Sequence, residues 1–176
     1  MAEWFALSVR HQHEKTVAFH LARLDLETCL PLYRTRRAWS DRQKELDLPL
    51  FAGYVFCHVP LGSHAPILNL PGVHSFVGFG RGPTPIPDAE IDALKTMVAS
   101  QIPVHPWPFL QTGQRVRIDR GPLRNLEGIL VEVKDSWRVV VSVELLQRSV
   151  AAEVDRMSVS PAGIASARVG IRPRAA

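Results

Sequence analysis

Apolar and polar positions alternate from the start of the chain. Phe5, Leu7 and Val9 fall on one side of an extended segment, and Trp4, Ala6, Ser8 and Arg10 on the other, which is the period of a β-strand over 4–10. From Glu14 the period lengthens: Val17, Leu21 and Leu24 recur at i, i+4 and i+7 with Ala18 and Ala22 beside them, predicting an amphipathic helix over 14–25. The stretch 28–37 is rich in extended formers and ends in Arg34, Arg36 and Arg37. The sequence AWSDRQKELDL that follows is polar and weakly periodic, so an exposed loop is expected as far as Pro49. Residues 50–59 carry the strongest strand pattern, with Val55, Cys57 and Val59 opposed to Tyr54, Phe56 and His58 after Gly53.

A short helix is expected over 63–69, stopped by Pro71 and Gly72, then a strand over 73–79 closed by the turn-rich GRGPTPIP. Asp88 reads as the N-cap of a further helix, whose apolar stripe is Ile91, Leu94, Met97 and Val98 as far as Gln101. Pro103, Pro106 and Pro108 exclude helix from the next stretch, which reads as an extended linker over 103–112 between a first domain (1–102) and a second (113–160). Short β-rich runs at 115–118, 128–133, 138–143, 149–154 and 157–159, spaced by turns, describe the second domain as a small all-β barrel. The tail 161–176 is Ala, Gly, Pro and Arg with two isolated isoleucines, and is expected to be disordered.

Composition sharpens this picture little. With 176 residues, 46% hydrophobic and 22% charged, the chain has the balance of a globular protein and excludes a fibre or a disordered polypeptide. The net charge of +4 permits contact with nucleic acid without requiring it. Residues 1–110 hold ten basic and ten acidic residues and 111–160 hold eight and seven, so the excess lies mostly in the three arginines of the tail. Cys29 and Cys57 are too few for a disulfide framework and lack metal-ligand spacing, and are read as reduced thiols of a cytoplasmic protein. Neither a leader pattern nor a long apolar run is present, so export and membrane crossing are not expected.

Catalytic chemistry finds no support. His11, His13, Glu14 and His20 are the nearest approach to a metal cluster, but their spacing fits no ligand motif, His11 and His13 flank a strand-to-helix turn, and the histidines read as solvent-exposed. GFGRG at 78–82 lacks the pattern of a phosphate loop. No metal, cofactor or enzymatic activity is therefore expected. What stands out is the sheet face opposite the helices, where Trp4, Tyr54 and Phe56 would form an apolar patch in a lone domain; either a partner, the β module or a second subunit covers them. Arg10, Arg34, Arg36, Arg37, Arg42 and Lys44 could gather at one edge to touch phosphates, or form an ordinary solvated loop with Asp41, Glu45 and Asp47.

The strand WFALSVR, the helix reaching FHLARL, the segment PLFAGYVF, and PGVHSFVGFGRGPTPIP before an acidic-capped helix together resemble the N-terminal (NGN) domain of NusG-type transcription elongation factors. GQRVRIDRGPLRNLEGILVEV and RVVVSVELLQRSVAAEV resemble a KOW domain, most specifically in the turn at 121–123 and the pair Glu127 and Gly128. The resemblance spans about residues 3–160. It implies an α+β protein: a mainly antiparallel sheet with helices on one face, then a small SH3-like β-barrel, acting without enzymatic activity and as a monomer. It implies that Trp4, Phe51, Tyr54, Phe56, Ile91 and Leu94 bind the clamp helices of the RNA polymerase largest subunit, and that Arg10 and His20 lie near the non-template DNA strand. The barrel would recruit a ribosomal protein, the Rho terminator or another regulator. Ala52 replaces the proline usual in F-P-G-Y of housekeeping members, and Ser8 stands where some specialised members carry an aromatic residue; on balance an RfaH-like specialised paralogue is expected. Some such relatives hold the KOW segment as a helical hairpin, but Val139, Val140, Val141 and Val143 favour strands and predict the barrel here. The alternative is an RNA- or ribosome-binding KOW protein that does not act on polymerase.

Overall fold

The computed structural model describes residues 2–39, 42–60, 62–80, 82–109 and 113–162. Strand β1 (Ala2–Val9) lies between β5 (Tyr54–Pro60) and β6 (Val73–Phe76), and β2 (Thr28–Cys29) adds to the far side of β5, giving the antiparallel order β2-β5-β1-β6. Alternation along β1 and β5 sorts the side chains as the sequence predicts. Phe5, Leu7, Val9, Val55, Cys57 and Val59 pack with Val17 and Leu21 of α1 (Glu14–Ala22) and Ile67 of α2 (His64–Leu68). Trp4, Ala6 and Phe56 belong to a second core on the opposite face.

The helices are not all on one face. Helix α3 (Asp88–Ala99) buries Ile91, Leu94 and Met97 against the Trp4 and Phe56 side of the sheet, because its stripe is as apolar as that of α1 and needs a cover of its own. Asp88 is not its cap: Pro87 holds the N-cap position and Asp88 opens the first turn, where its charge still complements the helix dipole. α1, α2, β5 and β6 are shorter than their patterns: turns replace the last residues of α1, and Leu50 to Gly53 precede β5.

The expected exposed loop before Pro49 is instead a strand. β3 (Leu32–Trp39) and β4 (Arg42–Pro49) form a separate two-stranded antiparallel hairpin, in which Tyr33 faces Leu48, Arg34 faces Asp47 and Arg36 faces Glu45. A strand exposed over most of its length has no strong apolar side to announce it, and here cross-strand ion pairs supply part of the pairing energy. Arg34 Nε lies 3.2 Å from Asp47 and Arg36 Nε 3.1 Å from Glu45.

Beyond α3 the described residues form strands joined by turns and two short 3₁₀ segments. β8 (Gln114–Ile118), β9 (Glu127–Val133), β10 (Ser136–Val143), β11 (Arg148–Val154) and β12 (Val159–Pro161) form an antiparallel sheet in the order β12-β8-β9-β10-β11-β7. Its sixth strand, β7 (Val104–Trp107), comes from the Pro-rich stretch and pairs with β11 from Val104 opposite Ala152 to Trp107 opposite Ser149. The stretch is extended as expected, and proline is tolerated because β7 is an edge strand. Residues 144–146 and 156–158 are single 3₁₀ turns, and no part of 113–160 forms an α-helix. Most of the tail, 163–176, lies outside the described residues, while Pro161 closes β12.

Candidate interaction surface

The aromatic face is built from the turn that leads into β5. Gly53 takes φ +83°, a left-handed conformation that glycine adopts without strain. Its carbonyl accepts from the Val9 amide at 2.9 Å, and its own amide donates at 2.8 Å to Oε1 of Glu14, a carboxylate only 3% exposed. The first residue of α1 thus fixes the turn that presents Phe51 and Phe56. Their rings meet edge to face at 5.4 Å. Phe56 is fully buried and Phe51 nearly so, as are Ile91 and Leu94, while Tyr54 is half-buried.

Trp4 is 4% exposed and framed by polar groups. Its ring stacks on His58 with centroids 5.1 Å apart, and the Lys95 ammonium stands 4.5 Å from its centroid. The same ammonium bonds Glu27 Oε1 at 2.7 Å. That hydrogen bond lowers the Glu27 carboxyl below its ordinary value and raises the lysine above its own.

All six residues of the expected binding patch therefore lie together, but they face inward. Their core is continuous with that of the second sheet, including Val116, Val139, Val141, Val143 and Leu146. Arg148 of β11 sits over the Tyr54 ring at 5.4 Å, and the Tyr33 ring meets His105 of β7 at 6.1 Å. An apolar patch that a lone first domain would expose is covered by α3 and the second sheet, one of the covers the sequence left open.

At the seam between α3 and β10 the Glu90 carboxyl is driven up by burial and by the Glu144 carboxylate, although the Glu144 backbone amide bonds it. Its Oε2 is buried without a hydrogen-bond partner. The interface therefore carries one poorly solvated acid.

Arg10 is exposed where β1 ends, and His20 is half-buried in the last turn of α1, so the two sit at opposite ends of that helix. His20 packs edge to face on Phe19, which is 60% exposed, and Arg23 lies 6.0 Å from the Phe19 centroid. His13 bonds the His11 carbonyl at 3.2 Å, and among the described residues no three potential metal ligands stand together. Sequence reasoning missed the anchoring role of Glu14, the Lys95 and Glu27 pair beside Trp4, and the Arg148 cover. Only Glu14 left a signal, as an acid opening a helix beside a predicted turn.

The profile of a family described as "Transcription termination factor nusG" matches residues 2–95, the whole first sheet with α1, α2 and most of α3. The chain belongs to the NusG family. Among its relatives, the transcription termination/antitermination protein NusG of Borreliella burgdorferi is 24% identical over 174 residues, covering 86% of this chain and 94% of that one. The NusG of Campylobacter jejuni is 30% identical over 119 residues, covering 65% and 67%, and that of Escherichia coli K12 is 27% identical over 142 residues, covering 77% and 78%. A Thermotoga maritima NusG structure titled for its domain interaction is similar in fold, with a TM-score of 0.54 at 18% identity, covering 92% of this chain and 97% of that one. As a member of the NusG family the chain is a transcription termination/antitermination factor. No helix among the described residues is long and apolar enough to cross a membrane.

Proposed function

We propose that this factor acts in the cytoplasm on RNA polymerase, holding the clamp helices of the largest subunit through Trp4, Phe51, Tyr54, Phe56, Ile91 and Leu94. Residues 1–102 form the gripping domain. Residues 113–160 form a KOW barrel that recruits a second protein, a ribosomal protein or Rho. The mechanism is non-enzymatic: bridging the two sides of the DNA channel favours a closed, pause-resistant polymerase, a shift of population. Arg10 and His20 lie toward the non-template strand.

One observation carries the reading: the large apolar face of the first sheet is covered from within the same chain, by α3 and a sheet that shares its core. A surface of that chemistry suits a helical partner once the second sheet moves aside. The family's polymerase grip and the burial seen here are compatible only if the second domain yields.

Binding of the full chain to a stalled bacterial elongation complex tests this. Phe56 is too deeply buried for a clean probe, because truncating it would destabilise the fold by about 3–5 kcal/mol. Half-buried Tyr54 is the better site. Arg148→Glu, which takes the cation off the Tyr54 ring, is expected to tighten binding, and Tyr54→Ala to weaken it. A chain that ignores the elongation complex in every form, but binds structured RNA or ribosomes, overturns the polymerase reading in favour of an RNA-binding role.

A further inference from the structure

The two halves of the molecule meet at a carboxyl group. Glu90 of α3 stands in the cleft between that helix and the second sheet, and its Oε2 is buried with no hydrogen-bond partner. The second domain lines the cleft with Arg115 of β8, Arg124 of the turn before β9, Glu127 of β9 and Glu144 of the 3₁₀ turn after β10. Asp92, which is exposed, is the other acid that α3 contributes. Neither arginine bonds Oε2; the bond that Glu90 does receive comes from the Glu144 backbone amide.

A carboxyl group so placed costs less neutral than charged, because a buried charge loses its hydration and an unpartnered oxygen recovers none of it. Burial is the main cause that pushes the Glu90 carboxyl above the usual carboxylate range; the Glu144 amide opposes the rise and the Glu144 carboxylate adds to it. The penalty is specific to the closed arrangement, since Glu144 and the rest of that wall belong to the second domain. The first and second sheets share no strand, and Phe5, Leu7, Val17 and Leu21 keep a core to which α3 does not contribute. The halves can therefore part without breaking the ladder of either.

We propose that Glu90 is a proton-operated clasp between the two domains, closed while its carboxyl is protonated against the Glu144 turn and released when it ionises. Opening returns water to Glu90 and its carboxyl to the ordinary range, so the closed form holds the proton more tightly. Docking is accordingly strongest below the ordinary carboxyl value and weakens as pH rises through the raised one. The apolar face that carries Trp4 and Phe56 thus becomes more available with rising pH. The inference rests on the reading above only for what that face then grips.

The test is single-molecule energy transfer on the full chain, with no polymerase present. Dyes are carried by Lys15→Cys on α1 and Glu132→Cys on β9, both exposed, while the native Cys29 and Cys57 are buried. With Glu90 otherwise unchanged, the ratio of open to closed molecules is expected to rise at least about fivefold from about pH 5 to about pH 8. Glu90→Gln, neutral at every pH, is expected to stay closed and to change less than about twofold over that range. Glu144→Gln removes the facing carboxylate but leaves the burial, and is expected to keep a smaller rise. Asp92→Asn takes the same charge from an exposed position of α3 and is expected to follow the parent chain within about twofold. A single compact population at every pH overturns the proposal, as does a flattening by Asp92→Asn equal to that by Glu90→Gln. So does a full rise in Glu90→Gln, which would assign the response to His105, the histidine of β7 against Tyr33. Because polymerase is absent from the assay, its outcome is independent of the Tyr54 and Arg148 experiment.

Discussion

The Lys95 ammonium stands 4.5 Å above the Trp4 ring while bonding the Glu27 carboxylate at 2.7 Å, so one cation ties α3 both to β1 and to the segment before β2. Glu27 is more than half exposed, and solvent screens most of the charge term. The cation–π and packing contributions are the durable part. Lys95→Ala is expected to destabilise by about 1 kcal/mol and Lys95→Met by less, because methionine keeps the apolar stem over the ring. Urea unfolding followed by tryptophan fluorescence distinguishes the two. The pH dependence has a definite sign on each side. The lowered Glu27 carboxyl contributes stability above its unfolded value and loses it as pH falls through the folded one; the raised lysine contributes below its unfolded value and loses it as pH rises through the folded one.

Glu14 holds the Gly53 amide from a nearly closed site. Glu14→Ala strands that amide and is expected to destabilise by about 1–3 kcal/mol, whereas Glu14→Gln keeps an acceptor oxygen and is expected to lose less. Equal losses in chemical denaturation would show that the bond contributes nothing.

Glu90 titrates high because burial opposes its charge. Its folded value lies above the unfolded one, so its favourable contribution is complete below the unfolded value and disappears as pH rises through the folded one. Glu90→Gln should therefore raise the melting temperature at pH 7. The gain should vanish below about pH 4, where the wild-type carboxyl is protonated in both states.

Gly128 of β9 packs against β10: a Cβ there would stand 2.6 Å from the Val140 carbonyl oxygen and 2.6 Å from Cγ1 of Val139. Gly128→Ala is expected to destabilise the second sheet by about 1–3 kcal/mol, read by circular dichroism on melting.

Burial raises the Cys57 thiol to about 12 and the Cys29 thiol to about 11, and neither is paired. Both should resist an aromatic disulfide reagent at pH 8 in the native protein and react in denaturant. Fast native labelling of either would contradict their burial.

The two-residue period of β1 and β5 and the helical stripes of α1 and α3 were legible in the sequence, because each has one face in a core and the pattern records it. β4 was not, since Arg42 to Glu45 are all polar, only Leu46 and Leu48 mark an apolar side, and the pairing partners lie across a turn rather than along the chain. β7 was hidden by its prolines, which exclude helix but leave edge pairing open. Pattern and family likeness grouped Trp4, Phe51, Tyr54, Phe56, Ile91 and Leu94, and they do share one core. Their cover was not legible, because which apolar surface meets which is decided by valines of β10 some 80 residues away from Phe56.

The pairing of β7 with β11 gives the leash between the two halves two lengths. With β7 zipped into the second sheet, only residues 100–103 separate it from α3, a span of at most about 14 Å. Unzipping β7 frees the chain from 100 to 113 and lengthens the reach to roughly 50 Å. The four register pairs between β7 and β11 thus set how far the second sheet can stand from the first, and with it the local concentration of one half around the other.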